Sequence, residues 1–182
     1  MAKRSKSTVS KAEWPLFECW ISESWQEPEA ITQILVARRA TGGQVAYALF
    51  LVDLGCLGIK NVDAATASTP EYEELRETMM LTQPLVLCSL DLAAKVVHEA
   101  IRYARGLGFT PHKDTRKALK LLKGAQPERI SEPVPLGDGT GKPFYVAGPF
   151  DNAKWVLRKL DQAVGSGNYD YLVPIEEDVW NS

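Results

Sequence analysis

Eight consecutive apolar residues, Val45–Val52, constrain the fold of this chain more than any other segment. Successive side chains of a β-strand point to opposite faces, so a strand that is apolar throughout must be covered on both sides. One face would carry Val45, Tyr47, Leu49 and Leu51, and the other Ala46, Ala48, Phe50 and Val52. The apolar run Ile34–Val36 precedes this strand, and Thr41–Gly43 supplies glycines for a turn with positive φ. The segment Ile31–Val62 therefore predicts a long β-hairpin whose second strand lies at the centre of a sheet.

Apolar residues at helical spacing predict amphipathic helices that pack on this sheet. The predicted helices are Glu71–Leu81, Leu90–Leu107, Asp114 to Lys123, and Asp151 to Val164, with Ser89, Asp114 and Asp151 as N-caps. The remaining predicted elements are a short helix with Phe17, Trp20 and Ile21 on one side, a second hairpin between Val134–Leu136 and Phe144–Ala147, and a last strand at Tyr169–Ile175. Because strands and helices do not alternate in βαβ order, the predicted fold class is α+β, a single domain with a central antiparallel hairpin-based sheet.

The composition indicates one ordinary globular domain. A chain of 182 residues buries enough surface to fold as a single unit. We place that domain at residues 12–175, between a flexible basic N-terminus at 1–11 and an acidic C-terminal tail at 176–182. The net charge of −2 gives no overall attraction to membranes or nucleic acids. Three widely spaced cysteines are typical of reduced thiols, and no apolar run is long enough to span a bilayer, so we expect a cytoplasmic protein.

The end of the central strand is the first candidate site. Directly after the strand, the segment Val52–Asn61 contains Asp53, two glycines, Cys56 and Lys60. Its Asp-x-Gly order resembles the opening of acidic metal-dependent nucleases and of the sugar-kinase and actin phosphate site, where glycine lets phosphate approach the backbone. The structural alternative is that Asp53 caps a turn while Cys56 packs inward.

The loop before the third predicted helix is the second candidate site. His112 and Asp114 lie where the exposed N–H groups of a helix favour an anion. His112 is a candidate acid or base and Cys56 a candidate nucleophile, provided that this loop meets the Asp53 turn. The alternative is that Asp114 is an N-cap beside a partly exposed His112. With two histidines and no paired cysteines, the sequence predicts neither a metal site nor a cofactor.

The clearest charge signal lies between Arg102 and Arg129. Eight basic residues stand there against Asp114 and Glu128, a local net charge of +6. The candidate binding residues are Arg105, Lys113, Arg116, Lys117, Lys120 and Lys123, of which the last five are spaced as a stripe along one helical face. Such a face suits phosphates, and its affinity for them would fall steeply with salt. The alternative, which the lack of interleaved aromatic residues favours, is a solvated face near a helix C-terminus.

Two further patterns bear on binding. The segment Gly137–Pro143 is not a P-loop, because Leu136 stands where the first glycine belongs and Pro143 replaces the hydroxyl residue. Aromatic residues collect towards both ends of the chain: Trp14, Trp20, Trp25, Tyr169, Tyr171 and Trp180. We expect them to cover the core, and the alternative is an interface with a partner or with a second copy in a homo-oligomer.

Two blocks of sequence resemble a group of bacterial proteins of similar size that have no established activity. The blocks are Val52–Lys60, with the pattern V-D-x-x-C-L-G-I-K, and Leu107–Asp114, with the pattern L-G-F-x-P-H-x-D. The resemblance implies an intracellular bacterial protein and assigns no catalytic residue.

Two functional hypotheses stay open from the sequence. The first is a non-enzymatic binding or regulatory module whose basic face, Lys113–Lys123, meets an acidic partner, either protein or nucleic acid. The second is a phosphate- or phosphodiester-directed hydrolase that uses Asp53, His112 and Asp114.

Overall fold

The predicted hairpin forms the centre of the fold. The computed structural model describes residues 14–27 and 31–173. Five strands make one antiparallel sheet: β1 (Leu16–Ser22), β2 (Ile31–Arg39), β3 (Gln44–Asp53), β4 (Gly58–Ser68) and β5 (Leu85–Leu87). Their spatial order is β4-β3-β2-β1-β5, so both hairpin strands, β2 and β3, have neighbours on either side. The fold class is the predicted one, an α+β domain on a central antiparallel hairpin.

In the described part of the chain, four helices complete the main elements: α1 (Thr69–Thr82), α2 (Leu90–Gly106), α3 (Thr115–Ala118) and α4 (Ala153–Val164). The same part contains three short 3-10 turns, at Thr41–Gly43, Leu119–Leu122 and Pro127–Arg129. None of the helices within residues 14–27 and 31–173 is long and apolar enough to cross a membrane. The predicted segments 1–11 and 176–182 lie outside the described residues, as do the boundaries of the predicted domain.

The two faces of β3 pack against different helices, as the alternating pattern predicts. Residues of the first face share a hydrophobic cluster with Tyr72 of α1: Val45, Tyr47 and Leu49. The residues of the other face share a larger cluster with the buried side of α2: Ala46, Ala48, Phe50 and Val52. A sheet layer therefore separates α1 from α2, and burial on both sides explains why this strand is continuously apolar.

Side-chain caps determine where the long helices begin. Ser68 and Glu71 form a reciprocal capping box that starts α1. Ser89 starts α2 as predicted, because its hydroxyl accepts a hydrogen bond of 3.0 Å from the backbone N–H of Leu92. The predicted cap of α4 is wrong by one residue, since Asn152 and not Asp151 accepts the N–H of Trp155, at 3.1 Å.

Three predicted elements are wrong. The segment around Trp20 is strand β1 and not a helix, with Cys19 and Ile21 on the α2 side of the sheet and Trp20 on the α1 side. The helix predicted from Asp114 to Lys123 is a single α-turn followed by a 3-10 turn. Pairing with β2 decides the first case, because tertiary contacts override a spacing seen over a few residues.

The third error concerns the predicted second hairpin. Strand β6 (Phe144–Val146) pairs with β7 (Asp170–Leu172) in parallel, and helix α4 lies between them in the chain. This β6-α4-β7 segment is a β-α-β unit, which the sequence did not indicate. The predicted last strand corresponds to β7, which is shorter than expected.

The segment that follows α2 runs along the free edge of β4. The backbone N–H of His112 donates to the carbonyl of Ile59 at 3.1 Å, and Nζ of Lys117 donates to the carbonyl of Ala64 at 2.8 Å. Among the described strands, β4 has β3 as its single neighbour, so these bonds satisfy carbonyls that an edge strand leaves open. The same contacts bring the two candidate sites to one side of the molecule.

Candidate functional site

The carboxylate of Asp53 closes the turn between β3 and β4. Its Oδ1 accepts hydrogen bonds from the backbone N–H groups of Cys56 at 2.9 Å and Leu57 at 3.3 Å. Asp53 is only 4% exposed, and burial raises the pKa of its carboxyl although both backbone bonds act in the opposite direction. This is the geometry of a turn cap, with the carboxylate directed to its own backbone.

The two glycines of this turn allow close packing of protein groups. The carbonyl of Gly55 accepts the N–H of Phe144 at 3.1 Å, so the β6 backbone occupies the space beside it. Gly58 has a φ of +70°, and a Cβ added there would lie 2.7 Å from Cβ of Ala104 in α2. At this turn the glycines therefore allow strand and helix backbones to approach each other closely. In the phosphate-site interpretation, the same glycines would instead allow a phosphate to approach the backbone.

Cys56 is fully buried and lies in a cluster with Tyr145 of β6 and Leu160 of α4. Burial raises the pKa of its thiol far above the ordinary value. A nucleophilic cysteine needs an accessible thiolate, so in this conformation the side chain acts as a small apolar core residue.

Lys60 lies in β4 and pairs with a residue that sequence reasoning did not select as a site residue. Its Nζ lies 2.8 Å from Oδ2 of Asp151, just before α4. The same oxygen accepts the backbone N–H of Gly148 at 2.9 Å and faces the hydroxyl of Tyr145 at 3.4 Å. Burial of Asp151 acts to raise the carboxyl pKa, but the bonds from Lys60 and Gly148 outweigh it and hold that pKa below its usual value.

His112 lies next to β4, where its loop bonds to the strand edge. The backbone N–H of Asp114 donates to Nδ1 of His112 at 3.3 Å, and an Asp114 carboxylate oxygen lies 3.8 Å from that nitrogen. The Asp114 side chain makes no capping bond to α3, which has only four residues. The pair is therefore a local His–Asp contact at the surface and not the predicted helix cap.

Lys60 and His112 line the same cleft, which has a volume of about 270 Å³. We call it the aromatic cleft, because Phe109, Phe150 and Trp155 also line it. Asp151 and Asn152 contribute polar groups to the wall that includes the start of α4. Of the five candidate catalytic residues, Lys60 and His112 share this cleft, whereas Asp53, Cys56 and Asp114 are not among the residues that line it.

The aromatic residues of the cleft had a detectable signal in the sequence. Trp155 lies outside the apolar stripe of α4, whose buried residues are Val156 and Leu160. Phe150 stands in a Gly-Pro-Phe-Asp segment with no helical or strand pattern. Large aromatic residues that no buried face requires are the ones to expect in a binding site.

The basic residues between Arg102 and Arg129 are all exposed. We call them the basic surface: Arg102, Arg105, Lys113, Arg116, Lys117, Lys120, Lys123 and Arg129. The predicted stripe along one continuous helical face is not formed, because the α-turn changes to a 3-10 turn at Leu119. Leu119 lines a groove of about 370 Å³ with two arginines of α2, Arg102 and Arg105. This groove lies between α2 and the 3-10 turn that follows α3.

The aromatic residues near the chain ends divide between core and surface. Trp25 is buried and Trp20 packs against the α1 side of the sheet, whereas Tyr171 is 53% exposed. Trp180 lies outside the described residues. A homo-oligomer through these residues stays a prediction.

Within the described part of the chain, no group of three or more histidine, cysteine, aspartate or glutamate side chains is placed to hold a metal ion. The polar groups of the aromatic cleft suit direct hydrogen bonding to a ligand. In comparisons with known proteins, no family model, curated protein or solved structure matches this chain.

Proposed function

We propose that the protein is a binding module that holds an acidic partner on the basic surface. The observation that carries this proposal is the charge of an exposed segment. Eight basic side chains face solvent between Arg102 and Arg129, against Asp114 and Glu128. Within residues 14–27 and 31–173, Arg102 is the one member of the eight with a carboxylate within 4.0 Å, that of Glu99.

Like charges that are not neutralised locally repel one another and attract polyanions. The overall charge of −2 makes this concentration of cations a local property of one side of the molecule. The groove between α2 and Leu119 adds a concave feature, which Arg102 and Arg105 line together with the apolar Ile101. A partner with several negative groups in a row complements this combination of charge and shape.

Single charge reversals test the proposal. We expect Arg116→Glu and Lys120→Glu each to weaken binding to heparin and to a fluorescein-labelled 20-residue oligonucleotide, and to reduce the slope of log affinity against log salt by about 1. Neither side chain makes a hydrogen bond or ion pair within the described residues, so folding should be unaffected. Lys117 is left intact because it bonds to β4.

The matched control is Arg158→Glu, which makes the same charge change on the exposed side of α4. Circular dichroism and thermal unfolding verify that all variants fold. Equal affinities for the Arg158→Glu control and the two test variants would contradict the proposal, as would an affinity that salt does not change.

A phosphate-directed hydrolase is the second candidate, with His112 and Lys60 as its site residues, because Asp53 and Asp114 do not line the cleft. The observation that favours it is the shared cleft of Lys60 and His112. We expect His112→Ala to abolish any hydrolysis of bis(p-nitrophenyl) phosphate that the wild-type protein catalyses, since a general acid or base contributes about 10²–10⁴-fold. A turnover that is equal in both proteins, or absent in the wild type, argues against this function.

A further inference from the structure

Two exposed aromatic side chains stand at the aromatic cleft. Phe150 is 99% exposed and Trp155 is 45% exposed. The Trp155 ring makes an edge contact with the buried Phe109 at a centroid distance of 5.7 Å, and Nζ of Lys159 lies 5.8 Å from the centroid of the same ring. Phe109 holds Trp155 in place, while Phe150 makes no ring contact within the described residues. A fully exposed phenylalanine beside a half-exposed tryptophan leaves apolar surface in water that a ligand would cover.

The lining of the cleft also includes polar groups. The ion pair of Lys60 with Asp151 and the imidazole of His112 offer both donors and acceptors. The volume of about 270 Å³ is below that of pockets for drug-sized ligands, which begin at about 300 Å³. The cleft therefore suits a single flat ring system with a hydrogen-bonding edge.

The cleft and the basic surface are parts of one continuous edge. His112 bonds to Ile59 at the start of β4, and Lys117 bonds to Ala64 farther along the same strand. Those two strand residues are about 17 Å apart at the usual rise of 3.3 Å per residue. Lys113 and Arg116 lie between His112 and Lys117 in the chain, so this part of the basic surface begins directly after His112, which lines the cleft.

We propose that the aromatic cleft takes one unpaired base of a single-stranded nucleic acid whose phosphates lie on the basic surface. This inference rests on the proposed function and names its partner. Every base has a π-face that stacks on an aromatic side chain, and its polar edge suits the polar groups that line the cleft. A duplex presents phosphates but keeps its bases paired, and the Asp and Glu side chains of an acidic peptide carry no ring. Charge and aromatic faces at one edge are the combination that single strands require.

The test compares single and double strands of equal length. Fluorescence anisotropy would measure the affinity of a fluorescein-labelled dT20 and of the dT20·dA20 duplex. We expect Phe150→Ala to weaken dT20 binding about tenfold, in line with the contribution of one stacked base, and to leave the duplex affinity and the salt slope unchanged. Trp155→Leu should have a similar effect on dT20. Leu81→Ala is the matched control, because it removes another exposed apolar side chain, one that is 88% exposed on α1.

The outcomes separate this inference from the proposed function. If Lys120→Glu weakens dT20 binding and Phe150→Ala does not, the inference about the cleft is overturned and the proposed function stands. If the wild-type protein binds poly-glutamate but neither form of DNA, the cleft inference again fails and the partner is an acidic protein. Free thymidine monophosphate that binds as tightly as dT20 overturns the role of the strand and indicates a mononucleotide site. Loss of dT20 binding on Lys120→Glu and also on Phe150→Ala, with duplex binding lost only on Lys120→Glu, supports both.

Discussion

Burial of Asp53 destabilises the ionised form of its carboxyl group in the folded protein. Burial raises the pKa of its carboxyl above that of the unfolded chain, so the folded state holds the proton more tightly. Its contribution to the free energy of unfolding is therefore fully present below the unfolded pKa and is lost as pH rises through the folded pKa. The side chain also stabilises the turn, because Oδ1 accepts hydrogen bonds from the N–H groups of Cys56 and Leu57.

Substitutions of Asp53 separate its charge from its hydrogen bonds. Asn keeps an oxygen acceptor, so we expect Asp53→Asn to equal or exceed the wild type in stability at pH 8 and to lose this relative gain at pH 4. Asp53→Ala leaves two N–H groups without their acceptor, which should lower the free energy of unfolding by about 1–3 kcal/mol per unsatisfied group. Urea unfolding across that pH range provides the measurement. An Asn variant as unstable as the Ala variant at pH 8 would show that the turn requires the negative charge.

Arg38 shows why single residues are hard to assign from sequence. In sequence it is one more cation on a strand, but it is buried and its guanidinium donates to the carbonyls of Trp14, Leu121 and Lys123 at 2.6–2.8 Å. These bonds hold the turn after α3 against the sheet. They also satisfy two carbonyls at the end of this turn, where the last carbonyls of a helix have no partner within it.

At the scale of elements, the contact of the β3–β4 turn with α2 depends on one glycine. Gly58 has positive φ, and a side chain there would meet Cβ of Ala104 at 2.7 Å and the carbonyl of Ala100 at 3.1 Å. Most of that contact is with helix backbone and a short side chain, which have little freedom to move. The close approach of α2 to the turn therefore requires glycine at position 58.

Two alanine variants measure this packing. Gly42 has a φ of +73°, close to that of Gly58, but a Cβ there would have no neighbour within 4 Å. We expect Gly42→Ala to cost about 1–2 kcal/mol for the left-handed backbone alone. Gly58→Ala should cost about 1–3 kcal/mol more, because it also overpacks the helix contact. Equal losses of unfolding free energy for the two variants would contradict the role given to the α2 contact.

Elements defined by a local pattern were predictable, and elements defined by their partners were not. The alternation in β3 and the Ser89 cap of α2 are local, and both are confirmed. Strand β1 has an irregular register between Leu16 and Glu18, which disturbs the period of 2 that identifies strands. Strands β6 and β7 have three residues each, which is too short for a sequence pattern, and they are defined by their pairing with each other.

At the scale of the whole molecule, the aromatic cleft is assembled from distant parts of the chain. Lys60, His112 and Phe150 come from three segments that no local pattern relates. Sequence reasoning selected Lys60 and His112 by residue type, and it missed Phe150 because it tested periodic patterns, to which an isolated aromatic residue in a loop does not belong. The basic surface, in contrast, was visible as charge density, since the exposure of lysine and arginine is the ordinary expectation.

The apolar residues that line the aromatic cleft belong to two hydrophobic clusters. Ile59 of β4 belongs to the cluster that packs against α2, whereas Leu57, Phe109 and Val156 belong to the cluster that the β6-α4-β7 unit forms with Cys56 and the end of α2. Partial unfolding of that unit alone would dismantle the cleft while the five-stranded sheet stays intact. A ligand that contacts both β4 and α4 would therefore stabilise the packed position of α4. Higher ligand concentrations would then slow the exchange of the α4 amide hydrogens with solvent, because α4 would detach less often.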